Sequence, residues 1–233
     1  MYVSIFAALA AACLIWAWHN HPIAPVLADV AGGFAMVAVL YLFNRQGWFF
    51  KNSRGVVHPA AWLLYWPYFI TNAMMFYLQR LFWPEPPAHE IVAGLFLGQK
   101  LTAFEAAHFT PTPAGVVDLT AEFSENRIFR ANDGYLLLPT LDGTAPTAAQ
   151  LDRGVKHIRR CLAAGAVYVH CALGHGRGAT IVAAYLLAEG KAATIHEALD
   201  IIRHHRKTIR LRTNQIRALD AYAETLRRTA AGR

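Results

Sequence analysis

VYVHCALGHGRGAT, Val167 to Thr180, places an apolar run, a His-Cys pair, three glycines and one arginine within fourteen residues. Val167 to His170 reads as the end of a buried strand. From Gly178, GATIVAAYLLAEG sets Ile181, Val182, Tyr185 and Leu186 on apolar helix faces. In a strand–loop–helix unit of this kind, successive loop N–H groups converge on one point at the positive end of the helix dipole. That point suits an anion with three or four oxygens. Gly174 and Gly176 let the backbone curl without Cβ clashes, and Arg177 offers a two-pronged donor. Cys171, Ala172, Leu173, Gly174, His175, Gly176, Arg177 and Gly178 therefore make a candidate phosphate-binding loop.

Cys171 opens that loop, beneath the anion. The helix dipole, the inward N–H groups and Arg177 all favour its thiolate, the nucleophilic form, which attacks phosphorus in line. A lone buried cysteine is usually mere packing, but Cys-x5-Arg between an apolar strand and a helix points to a nucleophile. His170 reads as a buried supporting residue that orients the loop, and His175 as an outward residue shaping the mouth. Displacing an alcohol needs a proton donor. Asp142, in LLLPTLDGTAP just past a strand end, is the candidate general acid; Asp133, in the turn ANDG, is its rival.

The neighbouring sequence supplies a scaffold. IVAGLFLG (91–98), GVVDLT (115–120), YLLLP (135–139) and AVYVH (166–170) read as strands. Thr147-Ala-Ala-Gln150 and Thr194-Ile-His-Glu197 read as capping boxes opening helices, with Gly165 closing the first, and a last helix follows Thr213. Alternating strands and helices give an α/β domain around a mainly parallel sheet.

The 233 residues are 55% hydrophobic and 16% charged, and the apolar share is concentrated at the front: residues 1–83 hold four basic residues and one acid, Asp29. Segments near 2–18 and 23–43 have the length and apolarity of membrane spans. A third, 60–82, contains Pro67 and many aromatics and reads as re-entrant, interfacial or spanning. Residues 84–90 read as a Pro-rich linker, and 91–233 as the catalytic domain. Arg45, Lys51 and Arg54 place the 44–59 loop in the cytoplasm by the positive-inside tendency. The expectation is an integral protein of the cytoplasmic (inner) membrane, its catalytic domain facing the cytoplasm. Cys13, Cys161 and Cys171 are widely separated and form neither a disulfide framework nor a zinc spacing. The net charge of +7 accompanies no nucleic-acid-binding pattern, and fits anionic lipid or phosphate-bearing substrates.

His170-Cys171-x5-Arg177 resembles the signature of the cysteine-dependent phosphatases. From about Ile91 to Leu226 the chain looks similar to their compact dual-specificity branch, closest to the mitochondrial phosphatidylglycerophosphate phosphatase type. LDGTAPTAAQLDRGV, VYVHC…RGATIVAAYLL and IRLRTNQIRAL carry that likeness. The resemblance implies Cys171 as nucleophile, Arg177 as phosphate binder and Asp142 as general acid, with no metal or other cofactor. Such proteins usually carry Ser or Thr after the arginine to stabilise the departing thiolate. Gly178 stands there instead, with Thr180 two residues on, so the expectation is fast phosphorylation and slow phosphoenzyme hydrolysis. The basic run RHHRKTIRLR (203–212) reads either as a solvated helix end or as a surface for anionic headgroups, with Arg212 close to substrate. The expected function is a membrane-anchored phosphomonoester phosphatase, acting on a phospholipid headgroup such as phosphatidylglycerophosphate. The alternatives are a membrane-bound tyrosine or dual-specificity protein phosphatase, or a slow pseudophosphatase that binds phosphorylated partners.

Overall fold

The computed structural model describes residues 1–231. The chain forms two compact units: Met1–Asn52 with Val56–Glu85 and Ala121–Phe123, and Ser53–Gly55 with Pro86–Thr120 and the residues from Ser124 onward.

In the first unit, α1 (Tyr2–His19) packs along α2 (Ala24–Leu42), which packs on α3 (Pro59–Phe82). α1 and the segment His21–Leu42 are long and apolar enough to cross a membrane. Aromatic rings tie the helices together: Phe6 meets Tyr68 edge-on at 5.4 Å, and Phe49 stacks on Tyr68 at 5.2 Å. Asp29, the acid of the apolar front, accepts the Trp66 indole N–H at 2.7 Å. Pro67 of the third apolar segment lies inside α3 without ending it. The helix is a single one of 24 residues, and its Pro67 ring packs where Gly33 of α2 leaves room for it. Thr71 donates its hydroxyl to the Pro67 carbonyl at 2.7 Å.

The second unit is a five-stranded sheet in the order β1-β2-β5-β3-β4, formed by β1 (Ala88–Val92), β2 (Leu95–Gly98), β3 (Gly115–Thr120), β4 (Tyr135–Thr140) and β5 (Val167–His170). Only the edge strand β1 runs antiparallel; the other pairings are parallel. β2, β3, β4 and β5 therefore end on one edge of the sheet, the edge where ligands bind in open α/β folds. β1 starts three residues before the expected strand, inside the stretch read as linker.

Two short helices, α4 (Ala103–Ala107) and α5 (Arg127–Arg130), were invisible to periodicity because neither completes two turns. α6 (Ala148–Leu162), α7 (Arg177–Ala188), α8 (Ile195–His205) and α9 (Thr213–Ala231) complete the unit. Thr147 and Gln150 form the full capping box at α6. At α8, Thr194 accepts the Glu197 N–H, while the Glu197 carboxylate accepts from Ala193 instead of Thr194. α7 is buried from Arg177 to Leu186, packed against α6, α8, α9, β2 and β5. That burial explains why its sequence is apolar on nearly every face. It also fixes the helix start beneath the loop of interest.

Candidate active site

The loop between β5 and α7 is held from outside by its carbonyls. The Ala172 carbonyl accepts the Lys100 N–H at 2.9 Å, and that of Leu173 accepts Arg206 Nη2 at 2.8 Å. The His175 carbonyl accepts the Arg210 N–H at 2.9 Å, and the Cys171 carbonyl lies 3.2 Å from His170 Nδ1. In a trans peptide each N–H points opposite to the preceding C=O. Four outward carbonyls therefore turn the N–H groups of Ala172, Leu173, Gly174 and Gly176 to the inner side. One of these contacts is direct: the Gly174 N–H donates to Cys171 Sγ at 3.2 Å. Gly174 has φ of 73°, and a side chain there would strike the Gly98 carbonyl, so glycine is required at this position.

Arg177 is 1% exposed. Its Nη1 donates to the Thr140 carbonyl at 2.7 Å, and its Nη2 pairs with Asp142 at 3.2 Å. The half-exposed Asp142 carboxyl is thus at the loop mouth, just beyond the end of β4. Asp133 precedes β4 and so belongs to the opposite edge of the parallel strands. The acid's own loop is held by α9: Asn214 Nδ2 donates to the Gly143 carbonyl at 3.0 Å and Gln215 Nε2 to the Thr144 carbonyl at 2.9 Å.

His170 is fully buried, with Nε2 3.0 Å from Glu125 and 4.0 Å from Asp118. Burial alone lowers the imidazole pKa. Glu125, then Asp118, overcome that and raise it above the ordinary histidine value, with Lys100 opposing. Asp118 is itself saturated by the Thr120 N–H and hydroxyl and by the Tyr135 hydroxyl, at 2.7–2.8 Å. Lys100 lies 3.7 Å from Glu125. The cluster of both signs of charge holds His170, the residue before Cys171.

Gly178 is buried under Leu97: a Cβ on it would lie 2.9 Å from Leu97 Cδ1 and 3.6 Å from the Cys171 nitrogen. Thr180 is buried and donates its hydroxyl to the Gly176 carbonyl at 2.9 Å, stiffening the start of α7. Within the basic run, Arg206 fits neither sequence reading. It is fully buried and joins the Pro86 carbonyl (3.2 Å), His89 Nδ1 (2.9 Å) and the Leu173 carbonyl. Arg203, Lys207, Arg210 and Arg212 are exposed. Sequence reasoning missed Glu125, Asp118, Asn214, Gln215 and Arg206. A charge inside the all-buried strand GVVDLT was the one available signal, for Asp118.

Residues 95–225 match the family described as dual specificity phosphatase, catalytic domain. The mouse phosphatidylglycerophosphatase and protein-tyrosine phosphatase 1 is 38% identical over 104 residues, 44% of this chain and 53% of the mouse protein. The chain spans about half the length of this relative and of its rat counterpart. The Arabidopsis thaliana phosphatidylglycerophosphate phosphatase PTPMT2 is 23% identical over 181 residues, covering 74% of this chain and 77% of the plant protein. Among solved structures, PTPMT1 in complex with PI(5)P aligns with a TM-score of 0.57 at 27% identity, over 62% of this chain and 99% of that one.

Proposed function

The chain belongs to the dual specificity phosphatase family, and from that membership we propose that it hydrolyses a phosphomonoester on a phospholipid headgroup through a phosphocysteine intermediate. The observation that carries this reading is the Gly174 N–H aimed at Cys171 Sγ inside a loop four of whose carbonyls are held outward. A thiolate in that position is stabilised before substrate arrives.

In the proposed reaction, the loop N–H groups and Arg177 bind the phosphoryl oxygens. The Cys171 thiolate attacks phosphorus and the P–O bond to the alcohol breaks. Protonated Asp142 gives its proton to the departing oxygen. Asp142, now a carboxylate, takes a proton from water, the water oxygen bonds to phosphorus, and the S–P bond breaks to return the thiolate and release inorganic phosphate. His170, held by Glu125, orients the loop from beneath. No step calls for a metal or other cofactor.

The substrate class follows from kinship and from the membrane-type helices. The mouse and plant relatives are named for phosphatidylglycerophosphate, and a headgroup phosphate beside α1 and α2 has a high effective concentration for a tethered domain. We place the chain in the cytoplasmic membrane with the catalytic domain on the cytoplasmic side. A Cys171→Ser variant, incubated with total membrane lipid and with phosphopeptides and read by mass spectrometry, tests this. Retention of a phosphomonoester lipid is expected; retention of phosphopeptides alone overturns the lipid reading in favour of a protein phosphatase.

A further inference from the structure

Among the described residues of the catalytic unit, the large apolar side chains left exposed are two: Phe104 at 73% and Ile128 at 43%. Each is the second residue of a short helix, α4 and α5 respectively. The helix starts are bonded together. Thr102 caps α4, Asn126 caps α5, and Asn126 Nδ2 donates to the Leu101 carbonyl at 3.3 Å. Beneath, Ala106 and Phe129 join one buried cluster with Leu101, Val116 and Tyr168. Both helices thus have a satisfied inner face, and Phe104 and Ile128 are not the edge of a core. Isolated exposed apolar residues need no explanation, but a pair on adjoining helices, alone in its unit, does.

The exposed charges on the two helices are basic, and the one acid, Glu105 of α4, is half-buried. Arg127 and Arg130 of α5 are exposed, and the His108 ring lies tilted against the Phe104 ring at 4.3 Å. Of the nearby acids, half-buried Glu105 is engaged by the Thr102 N–H and hydroxyl, and buried Glu125 holds His170. The exposed acid of the region, Asp133, lies in the turn after α5. An aromatic and an aliphatic residue beside arginines match a bilayer interface with anionic headgroups.

The pair also hangs from the catalytic edge. Lys100, two residues before the cap of α4, donates its N–H to the Ala172 carbonyl, and Glu125, next to the cap of α5, holds His170. We propose that Phe104 and Ile128 form a wedge that seats the catalytic unit on an anionic lipid surface, with Arg127 and Arg130 meeting headgroup phosphates. The contact stands on these residues alone. Its benefit to turnover rests on the lipid-headgroup reading above.

The full chain, reconstituted in phosphatidylcholine nanodiscs with or without phosphatidylglycerol and carrying a phospholipid with a diazirine acyl chain, tests the contact. After illumination, lipid adducts are expected on the segments 102–108 and 127–131, with a higher yield in the anionic discs. Adducts confined to residues 1–85, or yields indifferent to lipid charge, overturn the proposal. A Phe104→Ser/Ile128→Ser variant should lose those adducts. It should also turn over a phosphomonoester lipid in the same discs about tenfold more slowly, while 4-nitrophenyl phosphate turnover is unchanged. Equal loss on both substrates overturns the wedge. If the wild type turns over no lipid, the headgroup reading fails, and the adduct pattern still decides the wedge by itself.

Discussion

Arg177 Nη2 and the Asp142 carboxylate are paired at 3.2 Å while Arg177 Nη1 is fastened to the Thr140 carbonyl. The proposed phosphate binder and the proposed proton donor are thus paired from the start of α7 and the loop after β4. In the proposed reaction a phosphate at the loop takes over the guanidinium and leaves Asp142 to protonate the departing alcohol.

Replacing Asp142 by Asn should lower kcat by about 10²- to 10⁴-fold on alkyl phosphates, whose leaving groups need a proton. The loss should be much smaller on 4-nitrophenyl phosphate, which needs none. Steady-state rates across esters of graded leaving-group acidity check this; an equal loss on all of them removes Asp142 from the role.

Asn214 and Gln215 should matter through Asp142, because they hold the Gly143 and Thr144 carbonyls. Misplacing a catalytic group by an ångström costs on the order of 10²-fold. Asn214→Ala and Gln215→Ala should therefore reproduce part of the Asp142→Asn leaving-group dependence with KM little changed. A pure KM effect contradicts the positioning role.

Glu125→Gln should destabilise the catalytic unit by about 3–5 kcal/mol, the usual cost of stripping a buried charge of its partner. The pH dependence has a definite sign. Glu125 raises the folded-state pKa of His170 above its unfolded value, so the stabilisation is fully present below the ordinary histidine range and fades as pH rises through the raised value. Thermal unfolding in detergent should show the gap between wild type and variant narrowing from pH 6 to pH 9. A gap that widens over that range contradicts the assignment.

Gly178→Ser is expected to speed phosphoenzyme hydrolysis by returning a hydroxyl beside the thiolate. The new Cβ, however, meets Leu97 Cδ1 at 2.9 Å, and overpacking of this kind costs about 1–3 kcal/mol. Pairing it with Leu97→Val should relieve the clash. Stopped-flow kinetics should show a burst in wild type that shrinks in the double variant as kcat rises. No burst, and no gain in rate, discards the idea that glycine slows the second step.

The parts of this site legible in the sequence are those encoded by short-range pattern. Cys171 to Arg177 lie in one loop whose glycines announce its curl, and Asp142 sits beside a strand end. β3, β4 and β5 were readable because apolar runs of four to six residues end at turn signals. Glu125, Arg206 and Gln215 were not, because each acts across 33 to 71 residues of chain on partners that only the tertiary fold brings near. Gln215, 71 residues from Thr144, is the extreme case. The seat of Pro67 was hidden for the same reason, because the residue that leaves room for its ring, Gly33, comes from another helix.

The account turns on sulfur as the atom that takes the phosphoryl group. Wild-type protein mixed with a phosphomonoester lipid, acid-quenched within one turnover and digested, should yield a peptide phosphorylated on Cys171 whose signal decays as inorganic phosphate appears. Full turnover with no such adduct, or activity preserved in Cys171→Ser, would contradict it.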